Sequence, residues 1–122
     1  MLNLTCKNKN CRFLFVSSGE IYGDDVCNRK TGFLEDDMGY LNCNEQRSCY
    51  NESKRMSESL CAAFLAEKKM DYVTARICRV YGPTLKADDS KAMSQFLRNA
   101  SMGRDIILKS DGNQYFSYIY SA

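Results

Sequence analysis

The sequence predicts an α/β fold built on a parallel sheet, with a second, smaller lobe begun toward its end. Three observations carry this. Arg12-Phe-Leu-Phe-Val16 is a continuous apolar run of strand length that stops on Ser17-Ser18-Gly19, the pattern of a central parallel strand buried on both faces. From about Ser48 to Lys69 good helix formers dominate. Tyr72-Val-Thr-Ala-Arg-Ile-Cys-Arg-Val80 then reads as one strand, ended by Tyr81-Gly82-Pro83 because proline has no N–H for the ladder. Strand, helix, strand in that order implies a parallel βαβ crossover.

Taken in order, Met1 to Cys6 resembles the end of a helix, and Lys7 to Asn10 is a polar turn. After the first strand, Gly23 to Arg47 is rich in Gly, Asn and Asp without a sustained period, and reads as a long surface loop. The long helix carries Met56, Leu60, Cys61, Ala63 and Phe64 as an apolar stripe. Internal core is the preferred reading of that stripe, and a partner-binding surface is the alternative. Beyond Pro83 a polar link leads to a helix from about Ser90 to Met102, with Met93, Phe96, Leu97 and Ala100 as its apolar positions. Ile106 to Leu108 is expected to be a short strand, Asp111-Gly112 a turn, and Tyr115 to Tyr120 a strongly β-prone run. The expected division is residues 1–84 for the main layer and 85–122 for an incomplete lobe.

A chain of 122 residues with 44% hydrophobic residues buries one modest core, so it is one domain or a piece of a larger one. Its 17 basic and 15 acidic residues are interspersed, which leaves no basic stripe for nucleic acid or anionic lipid. The seven cysteines include no CxxC pair and there is no histidine, so no metal site is expected and the thiols suit a reducing cytoplasm. No apolar run reaches the roughly 20 residues of a membrane helix, and the start lacks a signal-peptide pattern. The expectation is a soluble, intracellular protein.

Tyr50-Asn-Glu-Ser-Lys54 puts a phenol and an ammonium on one face of the long helix. A free phenol is too weak an acid to serve as a base at neutral pH. An ammonium about 4 Å away, at an effective dielectric of about 20, favours the phenolate by roughly 4 kcal/mol. A solvated helix face is the plain alternative for these two residues. Ser17-Ser18-Gly-Glu-Ile-Tyr-Gly23 follows the buried strand, and open parallel sheets bind ligands beyond the carboxyl ends of their strands. Ser18 would then bond a substrate oxygen while Tyr50 exchanges its proton; the alternative is that Ser17 and Ser18 cap or turn the chain.

The segments FVSSGEIYGD, SCYNESKRMSESL, ARICRVYGP, KAMSQF and DGNQYFSYIY occur in this order and spacing. Together they resemble the extended short-chain dehydrogenases/reductases of the NAD-dependent epimerase/dehydratase family, in the sugar-nucleotide branch, and most closely UDP-glucuronate decarboxylases and dTDP-glucose 4,6-dehydratases. The resemblance implies a fragment of a Rossmann-like parallel sheet plus the start of a small α+β substrate lobe. It implies Ser18, Tyr50 and Lys54 as catalytic residues, with Lys54 also holding the nicotinamide ribose of NAD or NADP. An acidic residue matching Glu20 assists proton movement in dehydratases and decarboxylases; a solvated strand-end carboxylate is its alternative. Ser17, Val80 and Lys91 fall at cofactor positions. Arg79, Gln95, Phe96 and Gln114 fall where nucleotide-sugar substrates bind. A homodimer through the long helix is implied as well.

Three departures from the family pattern stand out. Arg79 replaces the usual Asn, and Phe116 stands where an Arg often pairs with pyrophosphate or acts on a carboxylate. The lost cation removes charge-assisted bonds of roughly 1.5–3 kcal/mol each, which argues against decarboxylation; Arg79 is expected to supply a replacement charge from the other wall. The third departure is the lack of a Gly-rich strand-turn-helix for the dinucleotide pyrophosphate. We therefore expect a fragment that does not bind NAD tightly by itself, with a non-catalytic, self-associating interaction module as the competing reading.

Overall fold

Helix α2, Ser48–Lys68, organises the first half of the molecule in a computed structural model that describes residues 1–8, 10–24, 32–86, 88–113 and 115–122. The chain divides into two compact units, Met1–Ile77 and Cys78–Ala122. In the first, α1 (Leu2–Cys6) leads to β1 (Phe13–Ser18), and a single 3-10 turn, Gly19–Tyr22, follows. Helix α2 then crosses back to β2 (Tyr72–Ile77), which pairs parallel to β1 from Phe13↔Tyr72 through Ser18↔Ile77. This is the expected βαβ unit. Lys69 ends α2 in the left-handed conformation at φ 55° and turns the chain into buried Met70.

Polar side chains, rather than apolar ones, lie between α2 and the sheet. Lys54 Nζ donates to the Val16 carbonyl, Arg55 donates to the carbonyls of Ile21 and Gly39, and Glu58 pairs with Arg76 of β2. Asn51 and Cys61, spaced along the same side, are buried. The apolar stripe consequently turns outward: Met56 is 64% exposed and Leu60 42%, with Ala63 exposed beside them. Its reading as internal core is corrected accordingly, save for Cys61 and the half-buried Phe64. The fully buried apolar residues among those described are few, and Ile21, at the hinge of the 3-10 turn, is the largest.

The sheet shows a related difference. Helix α2 covers the side of Phe15 and Arg76, while Leu14, Val16, Val73 and Ile77 on the other side are exposed. The apolar run of β1 is that of a strand covered twice, but among the described residues one layer packs on it.

Arg76 is the anchor of this unit. Its guanidinium meets the Glu58 carboxylate at 2.8 Å, donates to Tyr22 Oη at 3.2 Å and to the Glu35 carbonyl, and lies over the Tyr22 ring. Phe33 stacks on Tyr22 at 4.9 Å between centroids. Burial pushes the Glu58 carboxyl up, but the hydrogen bonds from Arg76, the nearby Ser17 hydroxyl and the Arg76 charge outweigh it and leave the group below its ordinary value. The Glu58 hydrogen bonds chiefly push Arg76 up in turn. Part of the segment between residues 23 and 47 is held by an isolated antiparallel bridge between Asp24 and Tyr40. Residues 25–31 of the expected loop, Cys27 among them, lie outside the described residues.

In the second unit β3 (Arg79–Tyr81) pairs parallel with β4 (Tyr118–Tyr120), and α3 spans Ala92–Ser101. The expected single strand over Tyr72–Val80 is thus two strands, broken at Cys78. Its partner β1 ends at Ser18, opposite Ile77, so the ladder has no continuation, and the Arg79 amide donates to Ser117 O instead. Ile106 to Leu108 is irregular and exposed, not a strand; β-propensity expresses itself only against a neighbouring strand, and none pairs with it among the described residues. None of the described helices is long and apolar enough to cross a membrane.

Replacing Arg76 with Met is expected to cost about 3 kcal/mol in urea unfolding followed by far-UV circular dichroism, because it strands the Glu58 charge. A carboxyl held below 4.5 contributes stability that is complete above that value and drains as pH falls through the folded value. Between about pH 5 and pH 3 the native chain should therefore lose stability more steeply than Glu58→Gln. A Cβ at Gly39 would sit 2.0 Å from the Asp24 carbonyl oxygen and 2.5 Å from that of Tyr22. Gly39→Ala should accordingly cost about 1–3 kcal/mol in the same measurement.

Candidate functional site

In the first unit Ser18 ends β1, and Tyr50 and Lys54 lie in the first turns of α2. Lys54 Nζ, 2.8 Å from the Val16 carbonyl oxygen, lies 5.2 Å from the centre of the Phe15 ring and 5.8 Å from that of Tyr50. One helix turn separates Tyr50 from Lys54, which places both on one side. The strand carbonyl takes one of the three ammonium donors and fixes the charge beside the Tyr50 ring. Tyr50 is 48% exposed, so its ring is open to a ligand.

Ser18 is buried, and its Oγ accepts from the Glu20 amide at 3.2 Å, capping the 3-10 turn. It therefore performs the local role that the sequence left open as an alternative. Capping occupies a lone pair and leaves the hydroxyl proton to donate. Ser17 is buried at 3% exposure, and its Oγ makes no hydrogen bond of normal geometry among the described residues. Glu20 pairs with Arg47 at 3.5 Å, which links the turn after β1 to the residue preceding α2. Both side chains are well exposed, so this pair guides the segments with little energy of its own. No hydrogen bond joins Ser18, Glu20 and Tyr50 to one another among the described residues.

Two features of this region were not anticipated. Asn51, next to Tyr50, is buried with its Oδ1 unpaired among the described residues. Arg55 holds the carbonyls of Ile21 and Gly39, steadying the segment after Ser18 against α2. Arg55 left no signal in the sequence, since a basic residue beside Lys54 on a helix reads as solvated. Arg76 did leave one: a charged residue between Ala75 and Ile77 in an apolar strand demands a buried partner.

The second unit holds the remaining candidates. A cavity of about 580 Å³ is lined by Arg79, Gln95, Phe96, Lys109, Phe116 and Tyr118, among others. Its charged lining among the described residues is Arg79 and Lys109, both cations. Arg79 Cζ lies 3.5 Å from the centre of the Phe116 ring, so the two residues that depart from the family pattern touch each other. Gln95 Nε2 donates to the Ser90 carbonyl. Lys91 sits just before α3, highly exposed, 3.9 Å from Asp89. Hydrogen bonding from the Lys91 amide, ahead of other influences, holds the Asp89 carboxyl below its usual range. Val80 is exposed on β3. Gln114 lies outside the described residues.

Known proteins resemble this chain in sequence and fold. UDP-glucuronic acid decarboxylase 1 of Xenopus tropicalis is 30% identical over 120 residues, covering 98% of this chain and 28% of that protein. Among solved structures, a UDP-N-acetylglucosamine 4-epimerase from Methanobrevibacter ruminantium, in complex with UDP-N-acetylmuramic acid, superposes with a TM-score of 0.75 at 26% identity, over 97% of this chain and 36% of that one. The dTDP-glucose 4,6-dehydratase of Bacillus anthracis, in complex with NAD, shares the fold with a TM-score of 0.75 at 24% identity, over 98% of this chain and 36% of that one. The chain therefore spans well under half the length of each. The model of the NAD dependent epimerase/dehydratase family matches residues 1–122, and with a match along its whole length the chain belongs to that family.

Proposed function

We propose that this chain carries the proton-transfer centre of an NAD(P)-dependent enzyme acting on a sugar nucleotide, with Tyr50 as the base at a sugar hydroxyl. The observation that carries the reading is the position of Lys54, bonded to the Val16 carbonyl and set beside the Tyr50 ring. The exposed Tyr50 ring, with the Lys54 charge set beside it, is the group that would receive the proton of an incoming hydroxyl. Ser18 has a hydroxyl proton to spare for the same substrate oxygen. Glu20, at the mouth of this region beside Arg47, is assigned the second proton movement that follows oxidation.

The residues fit a nicotinamide cofactor. Lys54 keeps two donors for ribose hydroxyls after bonding Val16, and Tyr50 and Ser17 are the further cofactor contacts proposed in this unit; for Val80 and Lys91 the proposal rests on the resemblance alone. Bound NAD(P) would supply the oxidising power for the sugar carbon. The cavity of the second unit, with Arg79, Gln95 and Phe96, is assigned to the nucleotide of the substrate; Gln114 is proposed for the same role.

A second reading rests on Met56 and Leu60, exposed one turn apart on α2. That face is proposed to pack against its twin in a homodimer, and in the non-catalytic alternative self-association would be the whole role.

In the enzyme that carries this chain, Tyr50→Phe is expected to lower kcat by about 10²-fold or more while NAD affinity stays within about twofold. Undiminished turnover of UDP-sugars would remove Tyr50 from its role and favour the interaction module. Leu60→Glu should shift sedimentation from dimer to monomer, and an unchanged sedimentation coefficient would dismiss the helix contact.

A further inference from the structure

Lys54 carries its charge on a long, flexible stem, and such a stem brings an ammonium to one place only where something holds it. Among the described residues no carboxylate pairs with Lys54. Its Nζ has instead the Val16 carbonyl oxygen at 2.8 Å and two ring faces, Phe15 with its centroid at 5.2 Å and Tyr50 at 5.8 Å. The nearer ring is not the one that the sequence marked. Phe15 belongs to β1, lies on the side that α2 covers, and stands opposite Thr74 of β2.

A cation within about 6 Å of a ring centroid is drawn to the negative face of the ring, and more strongly where water is partly excluded. Phe15 and Lys54 are both half-buried. One hydrogen bond fixes a distance to Val16 but leaves the ammonium free to swing about the carbonyl oxygen. The ring of the preceding residue restricts that swing, so consecutive residues of β1 hold the charge by a backbone oxygen and by a π-face. A carboxylate in the same place would take donors that a ligand needs. A ring face attracts the charge as a whole and leaves the two donors not given to Val16. An aliphatic side chain at position 15 would fill similar volume against α2 without any pull on the ammonium.

We propose that Phe15 is the positioning residue for Lys54, its ring face keeping the ammonium beside Tyr50 with two donors left for a cofactor ribose. The inference rests on the reading of Lys54 as a cofactor contact and adds the side chain that keeps it in place.

Replacing Phe15 with mono-, di- and trifluorinated phenylalanine, in the enzyme that carries this chain, tests this. Fluorine drains electron density from the ring face and barely changes its shape. By calorimetric titration, NAD affinity should fall at each step, with the trifluorinated form and Phe15→Leu weaker by about three- to fivefold. The urea midpoint should stay constant along the fluorinated forms, because packing is kept. Lys54→Met should lower NAD affinity, and in that background the dependence on fluorine should vanish. In the proton spectrum of the native enzyme, ring currents should place the Lys54 ε-methylene upfield of the other lysines, and Phe15→Leu should return it toward them. NAD affinity that is flat across the fluorinated forms, or that follows fluorine equally in Lys54→Met, reduces Phe15 to packing and overturns the inference. Tyr50→Phe is expected to leave NAD affinity within about twofold, so those results judge Phe15 without touching the role of Tyr50. A Lys54 methylene at the ordinary lysine position overturns the contact itself. Unchanged NAD affinity in Lys54→Met overturns the reading of Lys54 together with the inference.

Discussion

The guanidinium of Arg76 is the constraint on which the first unit depends. It reaches from β2 to Glu58 of α2, to Tyr22 at the end of the 3-10 turn and to the backbone at Glu35. Four segments distant in sequence thus share one charged centre. Buried ion pairs add little net stability compared with a well-packed apolar substitute, but breaking one is costly. Such a pair works as a fixed point of registry. With Glu58 pinned to the strand, the rotation of α2 is set, and Lys54 one turn earlier is delivered to the Val16 carbonyl. The position of the charge beside Tyr50 follows from a contact made one helix turn away.

This rotation explains where reading the sequence succeeded and where it did not. The order of strand, long helix and strand was legible because each has its own period or composition; β1 and α2 stand close to their expected bounds, and β2 begins where expected. The orientation of α2 was not legible. An apolar stripe is ordinarily turned inward, but here Lys54 and Glu58 reach the sheet while Arg55 reaches the carbonyls of Ile21 and Gly39, so the inward side of the helix carries polar ends. A rule that sorts residues by hydrophobicity puts such a helix the wrong way round. The extent of β2 was hidden for another reason: Tyr72 to Val80 is uniformly β-prone, and the break at Cys78 is decided by where β1 stops. Ile106 to Leu108 shows the same dependence, having the composition of a strand and no neighbour to pair with.

The proposed site was legible to the level of residues and not to the level of contacts. Tyr50 and Lys54 were marked by their spacing, and helix geometry delivers what that spacing promises. The local hydrogen bond of Ser18 to the Glu20 amide belongs to the 3-10 turn and could not be read from the Ser-Ser-Gly string. In the second unit, Arg79 and Phe116, 37 positions apart, were expected on opposite walls. The parallel pairing of β3 with β4 instead accompanies a direct contact between the Arg79 guanidinium and the Phe116 ring, so the two share one wall.

The uncovered side of the β1–β2 sheet bears on how this polypeptide behaves in a test tube. Leu14, Val16, Val73 and Ile77 lie side by side on two neighbouring strands and turn a hydrocarbon slab to water. Environment-sensitive dyes, which brighten on apolar surface, will stain the 122-residue chain taken by itself before any of it melts. Their fluorescence will begin high and rise little on heating, so a dye-based melting curve will under-report the transition that circular dichroism follows directly.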